Sequence, residues 1–243
     1  MNNNWNIRTE ILFGEGSLTK LLKSHVLIVG VGGVGAYAAE YLCRAGIGNL
    51  TIVDGDTVDT TNRNRQLPAL SSTIGKNKVD VVSNRLLDIN PHLNIISLND
   101  FIKDEKTRMI LTSNKFDFII DAIDTLSPKV HLILESLKLK LNIISSMGAG
   151  GKTDPSQVRI ADISKTFNCG LSRAVRKKLK KYKVYKGLKT VFSPEDCTGK
   201  IINIEEDDTV PNKSSIVGTV SYMPSLFGCF CASHVIKNLI ENE

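Results

Sequence analysis

The sequence lacks paired cysteines and a secretion signal. Its five cysteines are an odd number, and no C-x-x-C pair occurs among them. The first six residues are polar and contain no hydrophobic segment of the signal-peptide type. This cysteine usage is typical of a reducing compartment, so we expect a cytoplasmic protein without disulfides.

The sequence also lacks a clear membrane segment. Its longest uncharged stretch, residues 214–233, is long enough to cross a bilayer, but it contains Pro224, two glycines and several Ser and Thr residues. This composition favours a buried strand that leads into a buried helix. We therefore expect no membrane partner.

Acidic residues are missing from one long window. Between Ile163 and Pro194 there are ten Lys or Arg residues and no Asp or Glu, whereas acidic residues outnumber basic ones in the rest of the chain. The net charge of +6 is therefore local. It indicates a surface for an anionic partner, with a solvated helix face as the alternative.

A glycine-rich turn follows the first apolar run of the chain. Residues 26–29 are of strand type, and Gly30, Gly32 and Gly35 then give the spacing G-x-G-x-x-G, with Gly33 as an additional glycine. Such glycines permit a tight turn, the approach of a phosphate and close helix–strand packing. The motif predicts a nucleotide site at a helix amino end. A glycine turn without a ligand is the alternative.

Strand and helix patterns alternate along the first part of the chain. Strands are predicted over 25–30, 50–53, 93–98, 116–120 and 141–145, and helices over 33–46, 75–87, 103–112 and 127–140. This alternation predicts an α/β fold with a doubly wound, mostly parallel, Rossmann-like sheet. Ligands should then gather at the carboxyl ends of the strands.

The alternation weakens after about residue 155. We expect a nucleotide-binding core over 1–155 and a C-terminal extension over 156–243, within one structural unit. The extension is predicted to contain a strand at 158–160, a basic segment over 163–194 with a helix at 171–181, a strand at 189–193, a flexible loop over 195–214, and a closing strand and helix over 216–241, the strand at 218–223 and the helix at 226–240.

Charged residues at the strand ends distinguish between nucleotides. Asp54 lies 19 residues after Gly35, where a carboxylate accepts hydrogen bonds from ribose hydroxyls in both NAD and ATP sites. Four cations follow, and additional positive charge fits a triphosphate better than a dinucleotide. The cations are Arg63, Arg65, Lys76 and Lys78.

Two carboxylates close the fourth predicted strand. Asp121 and Asp124 stand in the run Asp-Ala-Ile-Asp. Mg²⁺ is commonly held by one or two carboxylates together with phosphate oxygens. The two carboxylates together therefore suggest Mg²⁺ coordination, with a helix N-cap role for Asp124 as an alternative.

Five motifs now carry a resemblance to a known family. They are Gly30–Gly35, Asp54–Val58, Asn62–Gln66, Gly75–Lys78 and Asp121–Asp124. Their order and spacing resemble the ubiquitin-activating-type (ThiF/MoeB/HesA) adenylating superfamily, whose members use ATP to adenylate a carboxylate. The resemblance implies that Asp54 binds the ribose, Arg65 and Lys78 the triphosphate, and Asp124 a Mg²⁺ ion. It implies a nucleotide-binding set of Gly30, Gly32, Gly33, Gly35, Asp54, Asp56, Asn62, Arg65, Gln66, Lys78, Asp121 and Asp124.

The resemblance also implies a homodimer. Arg8 matches an N-terminal arginine that family members lend to the ATP site of the neighbouring subunit. The implied catalytic set is therefore Arg8, Arg65, Lys78 and Asp124. From the sequence alone, Arg8 fits an ordinary surface residue equally well.

Within the superfamily, the chain is most similar to the tRNA threonylcarbamoyladenosine dehydratases. This similarity extends over nearly the whole length and is weakest over 182–215; it includes 8–14, 119–124, 148–155, the basic helix and 218–224. It implies ATP-dependent dehydration of threonylcarbamoyladenosine next to the anticodon, by adenylation of its carboxylate and cyclisation. This reaction needs neither zinc-binding C-x-x-C pairs nor a thioester cysteine. Cys197, the one cysteine in a polar predicted loop, is the only candidate for a thioester cysteine.

The basic segment then has tRNA as its implied partner. Tyr182 and Tyr185 are suited to stack on unpaired bases, and Met147–Gly151 should border the modified nucleoside. The predicted RNA-binding residues are Arg173, Arg176, Lys177, Lys178, Lys180 and Lys181.

Two other functions are compatible with the sequence. One is an enzyme that adenylates the C-terminus of a ubiquitin-like or sulfur-carrier protein, so that a sulfur-transfer or carrier protein would be its partner. The other is an NAD-binding redox or sensor domain, which Arg65 and Lys78 disfavour.

Overall fold

The computed structural model describes residues 5–197, 201–203 and 215–241. The helices are α1 Ile7–Phe13, α2 Glu15–Lys23, α3 Gly35–Ala45, α4 Lys78–Ile89, α5 Asp104–Ser113, α6 Leu126–Lys138, α7 Gly170–Lys180 and α8 Tyr222–Glu241. The strands are β1 His25–Val29, β2 Asn49–Val53, β3 Asn94–Leu98, β4 Phe118–Asp121, β5 Ile143–Ser146, β6 Arg159–Asp162, β7 Lys189–Phe192, β8 Ile201–Asn203 and β9 Ser215–Val217.

Seven strands form the main sheet, in the order β3-β2-β1-β4-β5-β7-β6. Neighbouring strands are parallel, except that β6 runs antiparallel to β7. The strand order reverses between β1 and β4, and the carboxyl ends of such a pair border a crevice in open α/β sheets. The predicted α/β fold with a mostly parallel sheet is confirmed.

Strand β1 shows why helices cover both faces of this sheet. Its side chains alternate between two hydrophobic clusters, with Val26 and Ile28 in one and Leu27 and Val29 in the other. Helices α2, α3, α4 and α8 contribute to the first cluster, and α5, α6 and α7 to the second. A strand that is apolar on both sides is stable only between two such helical layers.

The C-terminal part of the chain completes the same sheet. Strand β7 pairs with β5, and β6 pairs with β7. Helix α7 lies where the basic helix was predicted. Most of the predicted loop 195–214 lies outside the described residues, but its residues 201–203 form β8, which pairs antiparallel with β9.

The predicted strand over 218–223 is wrong. Strand β9 ends at Val217, and α8 begins at Tyr222, four residues before the predicted helix start. Pro224 stands in the first turn of α8, where a missing N–H leaves no helical hydrogen bond unmade. Residues 218–221, between β9 and α8, therefore form a connection and not a strand.

The two N-terminal helices were not predicted. Helix α1 has no buried residue, and Ile7, Ile11 and Leu12 on it are exposed. Across the described part of the chain, no helix combines the length and apolar character needed to cross a membrane.

Candidate functional site

The glycine loop connects β1 to α3. Gly30 has φ = +88°, a backbone conformation that favours glycine. A Cβ atom on Gly35 would lie 1.8 Å from the carbonyl oxygen of Gly30, so α3 starts against the loop backbone. The loop therefore places the amino end of α3, which is the positive end of the helix dipole, at the carboxyl edge of the sheet.

Asp54 follows β2 and is tied to this loop. Its Oδ2 accepts a hydrogen bond from the Val31 N–H (2.7 Å), and its Oδ1 accepts one from the Asp56 N–H (2.9 Å). Burial raises the pKa of Asp54, while Lys78 and the two N–H groups oppose the rise. The carboxylate is thus fixed beside the predicted phosphate position.

Lys78 begins α4 and reaches the same turn. Its Nζ lies 2.7 Å from Asp56 Oδ2, and its backbone N–H donates to the Asp56 carbonyl (3.0 Å). Thr57 and Asn77 form a β-bridge next to this pair. These contacts join the start of α4 to the end of β2, so Asp54, Asp56 and Lys78 come together as the sequence predicts.

The segment 59–66 forms a tight turn beside the glycine loop. Asp59 caps it by accepting from the Thr61 N–H (2.7 Å), and the Asn62 carbonyl accepts from the N–H groups of Arg65 and Gln66. Asn62 therefore shapes the turn that carries these two side chains.

The side chains of this turn are also held in place. Arg65 Nη1 donates to the Thr61 carbonyl (3.0 Å) and to Asn64 Oδ1 (2.8 Å). The Gln66 amide lies over Gly32, and its buried Oε1 has no hydrogen-bond partner in the described part of the chain. An unpaired buried acceptor at the loop is a feature that a bound molecule could satisfy.

The two carboxylates at the end of β4 occupy different environments. Asp124 is exposed beyond the strand end. Asp121 is fully buried, with its Oδ2 at 2.7 Å from Lys129 Nζ and 2.5 Å from Ser145 Oγ. The structure therefore places Asp121 in the core, although the sequence places it in the nucleotide-binding set. Within the described ranges, no three His, Cys, Asp or Glu side chains form a group that could hold a metal ion.

The sequence alone does not identify two neighbours of the site. Phe101, shortly after β3, lies against Gly55 and lines a cleft of about 550 Å³. The sequence feature that indicates Phe101 is its position shortly after a predicted strand. Pro224 of α8 packs on Gly33, and the Asn64 amide donates to the Thr219 carbonyl (2.9 Å). No local sequence signal shows that the start of α8 borders the loop.

Arg8 lies away from the glycine loop of its own chain. It is exposed on α1, and the preceding Asn6 packs near Gly46, at the carboxyl end of α3. The glycine loop is at the opposite end of this 11-residue helix, which is about 16 Å long. The structure does not bring Arg8 together with Asp54, Arg65 or Lys78.

The loop after β5 forms hydrogen bonds with two other segments, one before α7 and one after β7. The buried Lys152 ammonium donates to the carbonyls of Asn168 and Glu195. The Glu195 carboxylate accepts from the N–H groups of Thr153 and Asp154. Cys197 lies directly against Gly151, at the end of this loop.

Helix α7 presents most of its cations to solvent. Val175 and Leu179 are buried against the core, and Arg173, Lys177 and Lys180 follow the spacing i, i+4, i+7 on the exposed side. Lys178, Lys181, Tyr182 and Tyr185 are also exposed. Arg176 differs from them, because it is half-buried and its guanidinium donates to the Thr166 carbonyl (2.8 Å) and hydroxyl.

Comparison with known proteins gives matches over nearly the whole chain. The tRNA threonylcarbamoyladenosine dehydratase of Bacillus subtilis is 41% identical over 97% of this chain and 94% of its own length. The crystal structure of the Escherichia coli tRNA N6-threonylcarbamoyladenosine dehydratase TcdA in complex with ATP superposes with a TM-score of 0.85, at 33% identity over 96% of this chain and 92% of that one.

A second group of relatives matches a shorter part. The molybdopterin-synthase adenylyltransferase of Haemophilus influenzae is 34% identical over 61% of this chain and 63% of its own. The family model that matches, described as the ThiF family, extends over residues 6–243. This chain therefore belongs to the ThiF family.

Proposed function

We propose that this protein is an ATP-dependent tRNA threonylcarbamoyladenosine dehydratase. The carboxylate of the threonylcarbamoyl group attacks the α-phosphorus of ATP, and pyrophosphate leaves. A nucleophilic atom in the carbamoyl part of the same group then attacks the activated carboxyl carbon and loses its proton, and AMP leaves as the ring closes. The nucleoside thereby loses one water, which is accounted for by the conversion of ATP to AMP and pyrophosphate.

The extent of the similarity carries this proposal. The B. subtilis dehydratase matches 97% of the chain, including α7 and the C-terminal helix, whereas the H. influenzae adenylyltransferase matches 61%. The dehydratase match is long enough to include the basic segment 163–194. An RNA substrate carries the regular negative charge that such a surface fits.

The residues at the carboxyl edge of the sheet suit ATP. The glycine loop and the amino end of α3 receive the phosphates, and Asp54 accepts from the ribose hydroxyls. Lys78 and Arg65 stabilise the negative charge that increases at the α-phosphate during attack. Phe101, exposed beside Gly55, offers a ring for the adenine. The unpaired Gln66 Oε1 next to Gly32 is consistent with a ligand at this loop.

Asp124 is the residue that would hold Mg²⁺. It contributes one exposed carboxylate at the edge of the same crevice, and Mg²⁺ would complete its coordination with phosphate oxygens and water. The ion would supply positive charge to the phosphates of ATP. The turn that follows β4 sets the position of Asp124, and thereby the place where the ion would lie.

The exposed side of α7 would bind the tRNA. Arg173, Lys177 and Lys180 form a stripe that can follow a phosphate backbone, and Tyr182 and Tyr185 can stack on unpaired bases. The loop Met147–Gly151 would border the modified nucleoside, because it follows β5 at the same sheet edge as Asp124. A cytoplasmic location would give the enzyme access to tRNA.

A homodimer would complete the site. Arg8 lies about the length of α3 from the glycine loop of its own chain, so it would act on the nucleotide of a second copy. The apolar side chains of α1 that are exposed in the single chain, Ile7, Ile11 and Leu12, would be covered in the dimer.

The direct experiment uses the purified protein, ATP, Mg²⁺ and threonylcarbamoylated tRNA. Mass spectrometry of the digested tRNA should show a nucleoside lighter by one water, together with stoichiometric AMP. A tRNA of unchanged mass under conditions in which the protein binds ATP would exclude the proposal.

Two alternative functions give different results. An enzyme that adenylates a carrier protein would show ATP–pyrophosphate exchange that depends on that protein and not on tRNA. If such an enzyme formed a thioester on Cys197, the variant Cys197→Ser would lose activity. The cyclisation needs no enzyme thiol, so we expect Cys197→Ser to remain active. An NAD-binding domain would bind NAD more tightly than ATP in a calorimetric titration.

A further inference from the structure

A charged network is enclosed in the core behind the candidate site. The side chains of Asp121 in β4 and Lys129 in α6 are both 0% exposed, and their charged atoms are 2.7 Å apart. Ser145 of β5, also fully buried, donates to the same carboxylate oxygen. Replacement of such a pair by apolar residues is often neutral or stabilising, so fold stability alone does not account for it.

The second oxygen of Asp121 leads toward the site. Asp121 Oδ1 accepts a hydrogen bond from the backbone N–H of Ile123 (3.1 Å). The preceding residue, Ala122, donates its N–H to the Val29 carbonyl in β1 (2.8 Å). The first residue of the turn is therefore fixed by the sheet, and the next is fixed by the Asp121 carboxylate. Asp124 follows immediately.

The network also sets which way the carboxylate faces. Lys129 and Ser145 both bind Oδ2, which leaves Oδ1 directed to the turn. Lys129 comes from the first turns of α6, the helix that starts directly after the turn. Ile123, directly before Asp124, and Lys129, five residues after it, thus both bind the Asp121 carboxylate.

We propose that Asp121, oriented by Lys129 and Ser145, is a positioning residue for the Mg²⁺ ligand Asp124. It holds the Ile123 amide and so directs the Asp124 carboxylate toward the phosphates, without itself touching nucleotide or metal. The inference rests on the proposed role of Asp124. It replaces the direct nucleotide contact that the sequence predicts for Asp121.

Two double variants that differ only at position 121 test this role. Both carry Lys129→Met, which removes the buried charge partner, and both keep Ser145, whose hydroxyl oxygen can accept from an asparagine amide at position 121 and so leave the amide oxygen directed to the turn. One adds Asp121→Asn, which keeps an oxygen for the Ile123 amide, and the other adds Asp121→Leu, of similar size but without an acceptor. The measured quantity is the dissociation constant of ATP, determined by calorimetry with Mg²⁺ and with EDTA, alongside the thermal unfolding temperature.

We expect the asparagine variant to keep the tightening of ATP binding by Mg²⁺. The leucine variant should lose about tenfold or more of that tightening, as is typical when the residues that orient a metal ligand are changed, with ATP binding in EDTA unchanged. The inference would be overturned if the leucine variant bound ATP equally more weakly in Mg²⁺ and in EDTA, or if the asparagine and leucine variants bound ATP alike. Both results indicate a purely structural role for Asp121.

Asp124→Ala separates this inference from the proposed function. Loss of the Mg²⁺ effect in Asp124→Ala but not in the leucine variant rejects the positioning role alone. An unchanged Mg²⁺ effect in Asp124→Ala rejects the metal role on which both depend. If the leucine variant does not fold, hydrogen exchange of the Ile123 amide in the unaltered protein decides. Strong protection supports the inference, and exchange at the rate of an exposed amide overturns it.

Discussion

Lys78 and Asp56 form an ion pair with 2.7 Å between Nζ and Oδ2, across the junction between β2 and α4. The lysine side chain is only 6% exposed, whereas that of Asp56 is 52% exposed. The ammonium is therefore held in place by the fold, close enough to Asp54 to lower the pKa of that carboxyl against the effect of burial. Such a fixed cation needs little rearrangement to stabilise charge on a phosphate.

Lys78→Ala should therefore act mainly on the chemical step. We expect the rate of tRNA-dependent AMP formation to fall on the order of 10²–10³-fold, the loss typical of removing one fixed group that stabilises developing charge. The affinity for tRNA should not change, because α7 is untouched. Lys115→Ala, at an exposed lysine between α5 and β4, is the matched control. A rate equal to that of this control would show that Lys78 has no role in catalysis.

Asp54 should make ATP binding depend on pH. Burial raises its folded pKa above 3.8, and the protonated form loses an acceptor for the ribose hydroxyls. ATP affinity should therefore fall as the pH is lowered toward that raised pKa. The contribution of Asp54 to fold stability should instead fall as the pH rises. In this pH window the folded state binds more protons than the unfolded state, because the folded pKa of Asp54 is the higher of the two.

Calorimetry and thermal unfolding between about pH 4 and pH 7 would measure both effects of Asp54. In Asp54→Asn the ATP affinity should be lower at neutral pH, and its dependence on pH should be flatter than in the wild type. Asp88→Asn, at an exposed carboxylate of α4, serves as the control. If Asp54→Asn and the wild type have parallel pH profiles, the ribose contact is not made by Asp54.

The exposed stripe of α7 should determine the salt dependence of tRNA binding. Substitution of Arg173, Lys177 and Lys180 by Ala removes three cations from one side of the helix, and the slope of log K against log salt should become shallower by about 2. ATP binding should not change. The control is a triple alanine variant with the same loss of charge at the exposed Lys23, Lys115 and Lys237. Equal slopes for the two triple variants would place the RNA surface elsewhere.

Much of the candidate site follows from one rule of α/β folds. The glycine loop, Asp54 and Asp124 all follow predicted strands, and parallel strands place such residues at one edge. Lys78 lies at a helix start rather than a strand end. The sequence offers it as one of four cations, and the family resemblance selects it together with Arg65. Phe101 satisfies the strand-end rule but carries no charge, so its position in the sequence does not single it out.

The residues that were misplaced depend on contacts between distant segments. Asp121 and Asp124 look alike in sequence, but β4 continues through Asp121, and the alternation of side chains along a strand turns that carboxylate toward Lys129 of α6. Arg176 lies within a basic run, yet its guanidinium binds Thr166. Helix α1 buries nothing, so no hydrophobic period marks it.

Gly35 gives the sharpest test of the loop geometry. A Cβ atom on Gly35 would lie 1.8 Å from the Gly30 carbonyl oxygen and would force the loop backbone apart from α3. We expect Gly35→Ala to lower the free energy of unfolding by about 1–3 kcal/mol, the usual cost of overpacking, and to abolish measurable ATP binding. Gly16→Ala in α2 is the matched control, since nothing lies within 4 Å of the added methyl group. A helical alanine there should stabilise the fold by about 0.5–1 kcal/mol. Chemical denaturation and ATP calorimetry on both variants would measure these effects, and tight ATP binding by Gly35→Ala would show that the loop does not bind the phosphates.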